Sequence, residues 1–312
     1  MKKSLSFVVV LMLLLSLTIG VAQAAYPEKP IELIVPFAAG GGTDSVGRAI
    51  AEALKVQLGQ DVVVSNKTGG GGAVGMQGGL SARADGYTIT MVTREVVSLP
   101  LLGQAPFKTE DFHYIGLVNI DPTVVVVSTD SPYETIEDLM AALEEKPGEL
   151  IFSASVVPNY YGATVSLVTG LTFTTVPFDG AAPAITELLG GRSDFGLYGP
   201  GEIKAQMDAG NLRPLAVMAE ERFAGLPDVP TFKEKGIELY SGTYRGIAVS
   251  PDTPEEVIIA LEAALEEACK DEKFVSFMDS GFFGISYKNG ADFKAYVEDD
   301  MNILGDVIET LK

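Results

Sequence analysis

The sequence predicts an α/β protein built as two lobes, and three observations carry that reading. From Tyr26 onward, short β-rich runs alternate with amphipathic helical stretches, the βαβα order of domains with largely parallel sheets. The chain has 312 residues, beyond the size at which one core usually divides in two. Two stretches, "DPTVVVV" at 121–127 and "SGTYRGIAV" at 241–249, read as crossover strands, because no low-complexity linker joins the lobes. Division there gives a discontinuous first lobe, 25–122 plus 246–312, and a continuous second lobe, 123–245.

The first 24 residues read as a secretory signal peptide. Lys2 and Lys3 precede an apolar run from Phe7 to Ala22, closed by the small-x-small site Ala22-Gln23-Ala24. The rival reading, a membrane anchor, needs about 20 apolar residues. This run is broken by Ser16, Thr18 and Gly20, and no cysteine follows it to take a lipid. Cleavage after Ala24 would release a soluble exported protein.

The elements follow in order. Ile31–Phe37 is a buried strand that turns through glycines into a helix with Val46, Ile50, Leu54 and Leu58 on one face. Val62–Val64 is the next strand; it ends in "NKTGGGGAVG", from which a helix runs to Leu80. Asp85-Gly86 turns into the strand "YTITMV". Further on, "LIFSA", "TTVPF" and "DFGLY" are strands, each followed by a loop and a helical segment. "TPEE", Thr253 to Glu256, spells a capping box with proline at the first helical position. Its helix should run to about Cys269, and another should begin near Ala291. "IVPFAAGGGTD" and "TVPFDGAAPAI" echo each other. Placed in different lobes, both loops would sit at strand carboxyl ends facing one cleft, where open α/β sheets hold ligands.

Composition narrows the function classes. Apolar content of 47% and charged content of 21% are those of an ordinary globular protein. The formal net charge is −20, and loss of Lys2 and Lys3 with the leader makes it −22, so nucleic acid and anionic membranes are poor partners. Cys269 is the one cysteine, so no internal disulfide forms; it shares a helical face with Ile258, Leu261 and Leu265, as a buried, inert thiol would. His113 is the only histidine, which argues against histidine triads and multi-histidine metal sites. Neither a G-x-S-x-G elbow nor a G-x-x-x-x-G-K-[ST] loop occurs. No catalytic residue, metal site or cofactor is expected.

What remains is backbone. Small residues let a ligand approach main-chain N–H groups, and helix N-termini add partial positive charge. Ala38 to Thr43, Gly69 to Gly72 and Gly180 to Ala182 all fit, and such loops can hold a carboxylate without a cationic side chain. Tight turns alone would explain any one of them.

The motifs "YPEKPIELIVPFAAGGGTDSVGRAIAEAL", "LGQDVVVSNKTGGGGAVG", "ADGYTI", "VPFDGAAPAITELLGGRSD", "AGNLRPLAV", "LPDVPTFKEKG" and "VSPDTPEEV" together resemble the substrate-binding proteins of tripartite tricarboxylate transporters, the TctC or Bug family. The resemblance covers essentially the whole chain after the leader. It implies a periplasmic binding protein type II-like fold: two α/β lobes joined by two crossover strands, with a ligand cleft between them. It also implies capture of a small organic carboxylate, delivery to the membrane subunits of such a transporter, and a monomer. Carried onto matching positions, it nominates Phe37, Ala38, Ala39, Gly40, Gly41, Gly42, Thr43 and Asp44 on the first lobe. On the second lobe it nominates Ser153, Ser155, Asn159, Tyr160 and Tyr161, then Phe178, Asp179, Gly180 and Ala181, then Tyr198 and Gly199.

Three positions depart from the family pattern. Val156-Val157-Pro158-Asn159 leads into Tyr160-Tyr161 where relatives often have a Gly-x-Gly-Ser type loop and a histidine. Asp179 stands where many have a cation, and Arg94 stands where a small or polar residue is usual. Arg94 either clamps a distal carboxylate of the ligand or pairs with Glu95 or another surface acid. Two rival functions share these features: a ligand sensor that docks on a receptor kinase, and a transferase on a similar two-lobed fold.

Overall fold

The fold is seen in a computed structural model, which describes residues 26–155 and 159–309. The leader at 1–24 and the segment Val156–Pro158 lie outside the described residues.

Two mixed sheets share one strand. In the first, β1 (Ile31–Val35) lies between β2 (Val62–Asn66) and β3 (Thr88–Thr93), parallel to both. β9 (Gly242–Val249) runs antiparallel to β3 and to β4 (His113–Ser128), and β10 (Ile285–Asn289) closes that side on β4. In the second, the far half of β4 pairs antiparallel with β7 (Phe195–Tyr198) and β8 (Leu212–Met218). Beyond β7, β5 (Ile151–Ala154) and β6 (Thr174–Pro177) run parallel to it and to each other. The expectation of largely parallel sheets is therefore corrected. The outer strands on each side are parallel, as βαβ units require, but the strands that carry the chain between lobes enter antiparallel.

β4 has 16 residues, about 50 Å of extended chain, enough to serve both sheets. Its pairing with β9 ends at Pro122 opposite Gly242, and its pairing with β8 begins at Thr123. The Thr123 N–H donates to the Ser241 carbonyl at 2.9 Å, so both chain crossings lie side by side. The valine run follows the period of two: Val124 and Val126 face one core of the second lobe, Val125 and Val127 the other.

Helices cover the sheets. α1 (Gly42–Leu58) buries Val46, Ile50 and Leu54 and ends at Gly59, whose left-handed backbone returns an N–H to the Lys55 carbonyl. α2 (Ala73–Leu80) and α3 (Glu95–Leu101) follow β2 and β3. In the second lobe come α4 (Ile136–Glu145), α5 (Tyr160–Thr169), α6 (Ala181–Leu189) and α7 (Pro200–Asp208). α8 (Glu255–Ala268) packs Leu261 and Leu265 into the core that α1 also covers. α9 (Glu272–Ser280) and α10 (Gly290–Glu309) complete the chain's described part. α8 begins one residue beyond Pro254, and the Thr253 hydroxyl donates to the Ser250 carbonyl, so the "TPEE" start differs from the expected box. Cys269 is buried beside α8, and burial pushes its thiol up to about 12.

Candidate functional site

The two echoing βα units fall in different sheets, and their loops meet. A Cβ built on Gly180 would stand 3.7 Å from the Ala38 nitrogen and 3.8 Å from the Phe37 Cβ. Between them lies a narrow cavity of about 40 Å³. Phe37, Ala38, Gly41, Gly42 and Thr43 line it from the first lobe, with Thr93 and Glu95 from the carboxyl end of β3 and the start of α3. Ser155, Tyr161, Gly180, Ala181, Tyr198 and Gly199 line it from the second, with Leu197 and Glu202. Thr123, Thr243 and Arg245 close it beside the crossings.

The first loop is shaped by its own residues. Gly40 has φ near +85°, a left-handed conformation that a side chain would resist. Gly42 opens α1, whose first N–H groups have no partner within the helix and point along its axis towards the cavity end.

Asp44 fastens this loop from behind. Its carboxylate accepts from the Gly40 N–H at 2.9 Å, from Arg48 Nε at 3.0 Å and from Asn66 Nδ2 at 2.9 Å. Asn66 gives its other amide hydrogen to the Phe37 carbonyl, so β2 grips both ends of the turn. Burial pushes the Asp44 carboxyl up, but the donors from Arg48, Gly40 and Asn66 outweigh it and hold it below the usual range. Asp44 does not line the cavity. It is neither a bare N-cap nor a group facing the cleft, but a fastener of the loop that does.

Other nominated residues lie near the cavity without lining it. Ala39 and Gly40 are exposed at the turn, and Asp179 is exposed on the second loop. Ser153 is buried beneath the site, its hydroxyl 2.6 Å from the Tyr198 hydroxyl. Asn159 caps α5 by accepting the Gly162 N–H at 2.7 Å. Tyr160 packs in the core with its ring 4.1 Å from that of Tyr161, and Phe178 packs on the opposite core of its lobe. Arg94 binds Asp300 on α10 through Nε and Nη2, with Nη2 at 2.6 Å from Oδ1, and lies over the Tyr160 ring. Its pairing is thus with an acid, but Asp300 rather than Glu95. Gly72 backs the Phe37 ring, and none of Gly69 to Gly72 lines the cavity.

The charged residues that close the site were not nominated from sequence. Arg245, on β9, is 1% exposed. Its guanidinium donates to Asp121 at 2.6 Å, to Asn119 at 3.0 Å, to the Thr43 hydroxyl at 3.2 Å and, more distantly, to Glu202 at 3.4 Å. Burial opposes its charge, yet Asp121 and Glu202 more than compensate and hold it protonated. Glu202, from α7, also accepts the Gly199 N–H at 2.9 Å. Burial pushes the Glu202 carboxyl up, against the pull of Arg245 and of the Gly199 and Gly42 N–H groups. Glu95 is buried with the Thr93 hydroxyl against it, and burial pushes it up likewise. One signal could have found Arg245: a cation within the apolar strand "TYRGIAV" must be buried and therefore partnered.

This arrangement suits capture. Main-chain N–H groups at one helix end face small residues of the opposite lobe, beside the two chain crossings.

Comparison with known proteins adds kinship. Residues 46–312 match the model of a family described as the tripartite tricarboxylate transporter family receptor. The chain is 30% identical to Protein BugT of Bordetella pertussis over 263 residues, which covers 82% of this chain and 81% of that one. A TctC solute binding protein from Polaromonas, solved without ligand, is 35% identical with a TM-score of 0.67, covering 91% of this chain and 99% of that one. An R. palustris protein solved with adipate shares the fold, at a TM-score of 0.86 and 24% identity, over 91% of this chain and 98% of that one.

Proposed function

We propose, from the premise that the chain belongs to the tripartite tricarboxylate transporter receptor family, that its cavity captures one small organic carboxylate by closure of the two lobes. The chain is a solute-binding protein that serves a transporter of that family. The observation that supports the ligand site is the meeting of the Ala38 and Gly180 loops at the head of α1. A carboxylate placed there would accept a main-chain N–H bond from Thr43 and compete with Glu202 for that of Gly42, with the α1 dipole behind them. The second-lobe residues Gly180, Ala181 and Gly199 would complete the enclosure. Phe37, Ser155, Tyr161 and Tyr198 would form its walls.

Export and cleavage after Ala24 belong to the same reading, as do docking on the membrane subunits, a monomeric state and lobes that divide near Pro122 and between 241 and 246. Among the described residues, no helix is long and apolar enough to cross a membrane. Capture rather than catalysis is supported by the site's makeup: Cys269 is buried elsewhere with its thiol pushed up, and His113 lies at the outer end of β4. The adipate-bound relative shares the fold at 24% identity, so the choice of carboxylate rests on this chain's own cavity.

A thermal-shift screen of organic carboxylates tests the reading. A ligand at 100 times its Kd adds about 2.7 kcal/mol of stability, or several degrees in Tm for a protein of this size. At least one carboxylate should give that shift, and a shift only with phosphate compounds would overturn it.

A further inference from the structure

The cavity holds more acid than base. Its lining includes three such side chains, Glu95, Glu202 and Arg245. Arg245 is already paired at 2.6 Å with Asp121, which lies behind it and is itself completely buried. Glu202, at 3.4 Å, has only a distant share of that guanidinium. Glu95 is 4% exposed, and its side-chain hydrogen bond is with the Thr93 hydroxyl. Among the described residues, no lysine or arginine forms an ion pair with Glu95. Arg94, its neighbour in sequence, is turned to Asp300, and its charge and that of Arg245 reach Glu95 without an ion pair; Tyr160 and Tyr161 also face it.

We propose that this cavity selects a carboxylate that also carries an ammonium group, an amino acid or another amino carboxylate, and that Glu95 receives the ammonium. The inference rests on the capture reading above. A dicarboxylate would bring further negative charge beside two carboxyls that share one committed guanidinium, and like charges at close range disfavour one another's ionised forms. An ammonium reverses the balance. It supplies a cation at ion-pair distance, which Glu95 does not have among the described residues, and a buried carboxylate is favoured when it is so paired. The ligand's carboxylate meanwhile keeps the N–H groups at the head of α1. Glu95 and the head of α1 line the same cavity. Glu95 is thereby a specificity-determining residue, and its upward shift by burial in the unliganded chain accords with a carboxyl awaiting a partner.

Matched pairs that differ by one amino group test this: succinate against aspartate, glutarate against glutamate, and propionate against alanine, each titrated calorimetrically into the full protein. The amino member of at least one pair should bind about ten-fold tighter or more than its parent acid. Glu95→Gln should reduce that ratio to about two-fold or less by weakening the amino member, while the parent acid binds no worse. If Glu95→Gln fails to fold, the ranking of the pairs on the unaltered protein still decides. Parent acids that bind as tightly as their amino partners would overturn the ammonium assignment and leave carboxylate capture standing. Binding by no member of any pair would count against both.

Discussion

Glu202 of the second lobe lies directly against Gly42 at the head of α1 in the first lobe. A Cβ added to Gly42 would stand 2.5 Å from the Glu202 Cγ and 2.8 Å from its Oε1. Arg245 Nη2 would be 2.9 Å away. The backbone at Gly42 is not left-handed, so glycine is needed there for room rather than for conformation. The contact joins the lobes across the candidate site, so under the proposed closure a side chain at Gly42 would stand in the way.

Gly42→Ala should therefore hinder closure without unfolding either lobe. Overpacking of a filled site costs about 1–3 kcal/mol, which would appear as roughly ten-fold weaker ligand binding. Small-angle scattering of the liganded variant should show a larger radius than the liganded parent. Unchanged affinity together with full compaction would mean that Glu202 simply swings aside.

Asp44→Asn should weaken both apo stability and ligand binding. Asparagine offers one acceptor oxygen where aspartate offers two, so it cannot keep Gly40, Arg48 and Asn66 together. Loss of a charged hydrogen bond costs about 1.5–3 kcal/mol. Denaturant unfolding and ligand titration should move together. A fall in affinity at constant stability would instead put Asp44 in contact with the ligand.

Arg94→Met should lower stability and leave affinity nearly unchanged, because the guanidinium serves Asp300. Both partners are mostly buried, at 13% and 10% side-chain exposure. Removal of one partner from a buried pair costs about 3–5 kcal/mol, an upper range for a pair with this residual exposure. Asp300→Asn in the same chain should recover part of the loss. Affinity that collapses while stability holds would restore Arg94 as a ligand clamp.

Acid and base should act through different carboxylates. Burial raises Glu95 in the folded state, so the folded chain holds that proton more tightly than the unfolded one. Stability should then fall as pH rises from about 4.3, the unfolded glutamate value, through the higher folded value; Glu202 is raised too, so Glu95→Gln should reduce that slope by the Glu95 share. Asp44 has the opposite sign: its lowered carboxyl stabilises the loop above about 3.9 and loses that effect as pH falls through its folded value. Thermal unfolding of parent and Glu95→Gln from pH 4 to 8 reads the first difference directly. Parallel curves would show that Glu95 is not buried as described.

Local pattern made some of this legible in the sequence, and distance hid the rest. The β1 strand, its glycine turn and α1 could be read because an apolar run, small residues and helical spacing adjoin within 31–58. The pairing of the two echoing loops followed from their placement at strand ends. Strand direction did not, because β4 joins two sheets through partners that lie far along the chain. Arg94 finds Asp300 a separation of 206 residues away, and Asp44 depends on Asn66 in the next strand. Glu202, Asp121 and Arg245 each stand as single charges in sequence; the pairing of β4 with β9 brings Asp121 to Arg245, and α7 brings Glu202 to them.

The central claim is that the lobes close on one carboxylate at the Ala38–Gly180 meeting point. Small-angle scattering of the full protein, with and without a carboxylate found by the thermal screen and shown by calorimetry to bind, measures it most directly. The account predicts one ligand per chain and a smaller radius of gyration on binding, with both effects weakened by Gly42→Ala. A radius unchanged at saturation, with affinity indifferent to Gly42→Ala, would contradict it.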